Sequence, residues 1–179
     1  MIVIVAGVSG SGKTTVGALV AKRLGWPFTD GDQLHPAANI AKMAGGVPLT
    51  DKDRIPWLNQ IASLMDEWAQ AGGSGVIACS ALKRSYRDLL LDGRPAAKIV
   101  FLDVARDVVA RRLAARHGHF FNPVLLDSQF SDLERPAPDE RAVVTVKERD
   151  YPEQTADAIV GLLGMVAGSG ADDAVSSDV

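Results

Sequence analysis

Eight consecutive residues constrain this chain more than any others. Gly7-Val8-Ser9-Gly10-Ser11-Gly12-Lys13-Thr14 matches the pattern G-x-x-x-x-G-K-[ST] at every fixed position. It follows a β-branched apolar run, Ile2 to Ala6, and opens a helical stretch from Lys13 to about Leu24. A strand–loop–helix context is what such a loop needs to work as a phosphate cradle. Its glycines let the backbone wrap a polyphosphate and turn several N–H groups inward, and the following helix adds its positive end. In this pattern Lys13 reaches the β- and γ-phosphates, the Thr14 hydroxyl faces Mg²⁺, and Thr15 extends the first helical turn. Gly7, Val8, Ser9, Gly10, Ser11, Gly12, Lys13, Thr14 and Thr15 are therefore the expected ATP-phosphate site. The loop alone leaves open a kinase, a GTPase or a motor.

The rest of the chain alternates short apolar runs with helical patterns. Further strands are expected near Pro27–Thr29, Val76–Cys79, Ile99–Leu102 and Arg141–Val146. Helices are expected over His35–Ala44, from Thr50 with a capping pattern to Asp53, and over Ala81–Leu91 with Ser80 as cap. Others are expected over Asp107–Ala115, Val124–Leu133 and Thr155–Val166. Trp57, Leu58, Ile61, Leu64, Met65 and Trp68 fall on one helical face. Alternating βα units with uniformly apolar strands imply a mainly parallel, five-stranded α/β sheet with helices on both faces. One domain over residues 1–166 accounts for a chain of 179 residues, and the Ala/Gly/Ser/Asp-rich stretch 167–179 reads as a disordered tail.

Several function classes fit poorly. A net charge of −3 argues against a general nucleic-acid binder. No apolar run approaches the ~20 residues needed to span a bilayer, so no membrane association is expected. The apolar start runs directly into the glycine loop without a basic leader, and Cys79 is the sole cysteine. Together these point to the cytoplasm. Three histidines and one cysteine show no zinc-ligand spacing. There is no N-K-x-D guanine signature, and the chain is small for a motor ATPase, which leaves a compact metabolite or nucleotide kinase.

Asp30 and Asp32 follow the second strand at the edge where a parallel sheet presents its ligand crevice. Phosphoryl transfer to an alcohol benefits from a carboxylate that orients the hydroxyl and accepts its proton. Asp-Gly-Asp is also ordinary turn composition, so the residues by themselves support both readings.

More specific blocks follow in order. They include Asp30-Gly31-Asp32-Gln33-Leu34-His35-Pro36, Asn39, Lys42-Met43, Asp53-Arg54, Pro56-Trp57-Leu58 and Ala78-Cys79-Ser80-Ala81-Leu82-Lys83-Arg84. Tyr86-Arg87, His119-Phe120, Ser128-Gln129-Phe130 and Leu133-Glu134 complete them. With the phosphate loop, these blocks closely resemble the gluconokinase family, relatives of shikimate kinase and the nucleoside monophosphate kinases, from about Met1 to Ile159. The resemblance implies a three-layer α/β/α P-loop kinase fold with a mobile lid near 116–127 and, in many members, a homodimer. It implies ATP- and Mg²⁺-dependent phosphorylation of gluconate to 6-phosphogluconate. It also implies Asp32 at the substrate hydroxyl, Asp30 nearer the metal with Thr14, and Arg54 on the substrate carboxylate. Lys83, Arg84 and His119 become further substrate contacts, and Arg112 and Arg116 become lid arginines over ATP, with Lys13, Asp32 and Arg116 as the catalytic set.

Plainer readings stand beside these. Arg112 and Arg116, one turn apart, also suit a solvated basic helix face. His119 suits loop packing, and His35 a position at a helix start. Cys79 reads as an inert core thiol. Asp103 ends a strand of Walker B appearance, but Val76–Cys79 is expected beside the phosphate loop, which leaves Mg²⁺ to Thr14 and Asp30. The rival functions are a kinase for another small hydroxy acid such as shikimate, and an ATP-binding sensor without transfer activity.

Overall fold

The computed structural model describes residues 1–115 and 123–169. Five strands form one parallel sheet: β1 (Ile2–Ala6), β2 (Phe28–Asp30), β3 (Gly75–Ala78), β4 (Ala97–Asp103) and β5 (Val143–Lys147), in the spatial order β2-β3-β1-β4-β5. Between them run α1 (Lys13–Leu24), α2 (Ala37–Ala44), α3 (Asp51–Gln70), α4 (Arg84–Leu91), α5 (Arg106–Ala114) and α6 (Pro123–Asp132). α7 (Pro152–Ser169) follows β5.

Strand alternation sorts the core into two layers. Val3 and Val5 point to the side covered by α1, α5, α6 and α7, where they meet Val16, Val20, Val109, Leu126 and Ile159. Ile2, Ile4 and Ala6 point to the opposite side, against Trp57, Leu58, Ile61 and Met65 of α3 and Tyr86 and Leu90 of α4. The expected α3 stripe is thus the core face of that helix, with Leu64 and Trp68 at its half-buried margin. Among the described residues no helix is long and apolar enough to cross a membrane.

β3 lies beside β1, as the sequence reading expected, and β4 flanks β1 on its other side. Two local features differ from the sequence reading. α4 begins at Arg84, because Ala81 takes a φ of 41° and the Ser80–Lys83 segment stays extended or turned. α7 is longer than expected at both ends and runs to Ser169; the remaining tail lies outside the described residues. The capping box at the start of α3 forms as read, with Thr50 and Asp53 bonding each other's backbone.

Parallel pairing brings the carboxyl ends of the strands to one edge. Asp30 pairs with Ala78, and Ala78 with Val5, immediately before the glycine loop. Gly7 N–H donates to Ser80 O at 3.2 Å and locks that edge together. Gly31 passes so close to β3 that a Cβ there would lie 2.5 Å from Ala78 O. Only glycine fits that approach.

Candidate active site

The phosphate loop bends from Ala6 to Lys13 through positive φ angles at Gly7, Gly10 and Gly12. A Cβ at Gly10 would meet Leu113 Cγ at 2.8 Å, so α5 packs directly on the loop. Lys13 Nζ donates to Val8 O at 2.9 Å, folding the cation back over the loop. Among the described residues, Ser11 Oγ is buried without a hydrogen-bond partner. A buried hydroxyl left over inside a ring of N–H donors suits a ligand that brings oxygens, as a triphosphate does. Next to the loop lies a cleft of about 210 Å³, bounded by Gly12, Thr15, Arg112, Glu148, Arg149 and Pro152. Arg112 Nη2 lies 2.5 Å from Glu148 Oε2, an ion pair without hydrogen-bond alignment.

The Asp30–Asp32 turn sits against the first turn of α1. Asp30 Oδ2 accepts from Thr14 Oγ1 at 2.9 Å and Asp30 Oδ1 accepts from Asp32 N–H at 3.1 Å. The two expected metal residues are therefore in contact. Both offer oxygen, the donor type Mg²⁺ takes, and a P-loop magnesium completes its shell with phosphate oxygens and water. Among the described residues no group of three or more His, Cys, Asp and Glu side chains gathers as a metal cage. Asp103 is engaged elsewhere, accepting from Arg135 at 3.4 Å.

Behind Asp32, the His35 ring stacks on Trp57 with centroids 4.1 Å apart, and its Nδ1 lies 3.3 Å from the Asn39 amide nitrogen. An amide NH₂ donating there pairs with an accepting Nδ1, the tautomer that carries its proton on Nε2. Burial lowers the His35 pKa; Asp32 opposes that shift and Arg54 adds to it. Trp57 Nε1 donates to Gly31 O at 2.7 Å, which anchors the turn to α3. Cys79 is fully buried and burial pushes its thiol up to about 12.

Arg54 and Lys83 converge on two shared carboxylates, Asp51 and Asp132. Arg54 Nη1 donates to Asp132 Oδ2 at 2.7 Å and to Tyr86 Oη at 3.2 Å. Lys83 Nζ donates to Asp51 Oδ1 at 2.7 Å and lies 3.7 Å from Asp132 Oδ1. Tyr86 also donates a short bond to Asp51. The Lys83 and Tyr86 bonds hold the Asp51 carboxyl below the usual range, while burial raises the Tyr86 phenol. Arg84 stands apart from this group and pairs with Asp139 at 2.8 Å. Arg116 and His119 lie outside the described residues.

Sequence reasoning missed Tyr86, Gln129, Asp132 and Glu148 as site residues. Gln129 Oε1 accepts from Ser9 N–H of the phosphate loop at 2.7 Å. Only the block Ser128-Gln129-Phe130 hinted at this, and nothing local marks its partner.

The sequence pattern of the shikimate kinase family matches residues 9–163. The gluconokinase of Gluconobacter oxydans (strain 621H) is 45% identical over 157 residues, 88% of each chain. A probable gluconokinase of Mus musculus is 42% identical over 178 residues, covering 90% of this chain and 97% of that one. Among solved structures, a gluconokinase from Sinorhizobium meliloti 1021 superposes with a TM-score of 0.86 at 39% identity, covering 96% of both chains.

Proposed function

The chain belongs to the shikimate kinase family and, within it, to the gluconokinases, and from that premise we propose that it transfers the γ-phosphate of ATP to the 6-hydroxyl of D-gluconate. One observation carries this reading beyond the family name: a single face of α6 touches both the phosphate loop and the cationic pair. Gln129 bonds Ser9 N–H, and three residues on Asp132 bonds Arg54. Three residues of helix rise about 4.5 Å, so α6 ties the phosphate loop and the Arg54 guanidinium to neighbouring positions on one face, which supports a substrate short enough to reach both.

Arg54 and Lys83 grip the acid end, with Arg54 suited to a forked contact on a carboxylate. Asp32, fixed by its backbone bond to Asp30, orients the hydroxyl and takes its proton as transfer proceeds. The loop N–H groups and Lys13 stabilise charge on the transferred group. Thr14 and Asp30 would hold Mg²⁺, which when bound would neutralise phosphate charge. Arg112 borders the cleft expected to take the nucleotide base, and Arg116 and His119 complete the proposed closing segment.

The test is ADP release from Mg-ATP with gluconate, related aldonic acids, shikimate, glycerate and nucleoside monophosphates as acceptors. Gluconate-dependent release with 6-phosphogluconate formed is expected. Release with shikimate alone would replace the substrate. ATP binding with no acceptor-dependent release would replace the enzyme with a sensor.

A further inference from the structure

Arg54 and Lys83 are the cations a substrate carboxylate needs, yet both already hold carboxylates of the protein. The group is balanced, with Arg54 and Lys83 against Asp51 and Asp132. A further anion cannot enter at full strength while both acids remain, since like charges at this range oppose each other. One acid must leave, and the two are not equivalent. Asp51 is the first residue of α3, where the helix dipole favours an anion, and it accepts from both Lys83 and Tyr86. Asp132 is the last residue of α6, where the dipole disfavours one, and among the described residues its close bond is to Arg54.

We propose that Asp132 is a specificity-determining residue of this kinase: it occupies the Arg54 grip as an internal stand-in for the substrate's carboxylate, so that ligands carrying an acid displace it and neutral sugars do not. The inference rests on the gluconokinase reading above and deepens it. Gln129 supports it independently. It lies three residues earlier on the same face of α6, and its carbonyl oxygen occupies Ser9 N–H of the phosphate loop. Two oxygen acceptors on one helix face thus sit on two donors that the ligands require. Displacing Asp132 removes the tie between α6 and Arg54 and leaves Gln129 as that face's bond to the loop, so acid binding and nucleotide binding are coupled through this helix.

The experiment compares wild type with Asp132→Asn and Asp132→Ala by calorimetric titration of D-gluconate and of its neutral amide, D-gluconamide, each with and without ADP. Circular dichroism checks the fold of each variant. Removing the competing charge should tighten gluconate about tenfold, the scale of one charge-assisted hydrogen bond, with much less change for gluconamide. ADP should tighten gluconate in wild type and do so less in both variants. Gluconate binding unchanged or weakened in both folded variants would overturn the displacement, and weakening with an intact kcat would make Asp132 a residue that positions Arg54. Wild-type protein that turns over no gluconate would overturn the substrate reading and this inference with it. Normal wild-type turnover with no tightening in the variants would overturn the inference alone.

Discussion

Thr14 Oγ1 donates to Asp30 Oδ2 at 2.9 Å, joining the residue after the P-loop lysine to the end of β2. The bond crosses from the first turn of α1 to the strand next but one to β1 in the sheet. It brings two oxygen donors together before any cation is considered, with Asp32, the proposed acceptor residue, two positions further on and its N–H bonded to Asp30 Oδ1.

Asp30→Asn should raise the Mg²⁺ concentration needed for half-maximal turnover by about tenfold, in line with the loss of a supporting carboxylate at a metal site. A Mg²⁺ titration at fixed ATP reads this directly. An unchanged requirement would reduce the Thr14–Asp30 bond to a structural tie.

Asp32→Asn should lower kcat by about 10²-fold or more, the usual scale for a lost general base. The Kd for ATP should change little, because the proposed role of Asp32 is toward the alcohol. Loss of ATP binding with kcat preserved would assign Asp32 to the nucleotide instead.

Arg87 is wholly buried and forms a forked pair with Glu140, at 2.7 Å and 2.9 Å, while its third nitrogen donates to Leu82 O and Glu134 O. It holds the strained Ala81 turn, and hence Lys83, against the segment that follows α6. Arg87→Ala or Glu140→Ala should each cost about 3–5 kcal/mol by stranding a buried charge. A paired apolar replacement of both should cost much less. Urea unfolding of the three variants measures it, and equal losses in single and double variants would refute the stranded-charge account.

His35 supplies a pH dependence with a definite sign. Its folded pKa lies below the ordinary 6.5, chiefly from burial. The unfolded chain therefore takes up the proton first as pH falls, and stability drops below about 6.5 toward the folded value. Above 6.5 both states are neutral and the effect vanishes. Between pH 7.5 and 5.5 the Tm of wild type should fall further than that of His35→Gln. Parallel curves would mean that another group sets the acid limb.

Some of this was legible along the chain. The phosphate loop, the five strands and the α3 core stripe depend on neighbouring residues, because burial imposes periods of 2 and 3.6 and a P-loop needs its glycines at fixed offsets. The Asp30–Asp32 pair could be noticed, but its Asp-Gly-Asp composition suited a turn equally well. What the tertiary structure decided is which distant groups meet. Arg87 and Glu140 are 53 residues apart, and Arg54 and Asp132 are 78 apart. No local pattern links them, because they are brought together by the strand order that sends β1, β2 and β3 to one edge and by the return of α6 over it. Ala81 shows the same limit at short range: its neighbours favour helix, yet three-dimensional bonds from Arg87 keep it out of one. Local chemistry in the sequence determined the elements and the phosphate loop; long-range charge pairing, visible only once the sheet is assembled, decided how the cluster around Arg54 and Lys83 is built.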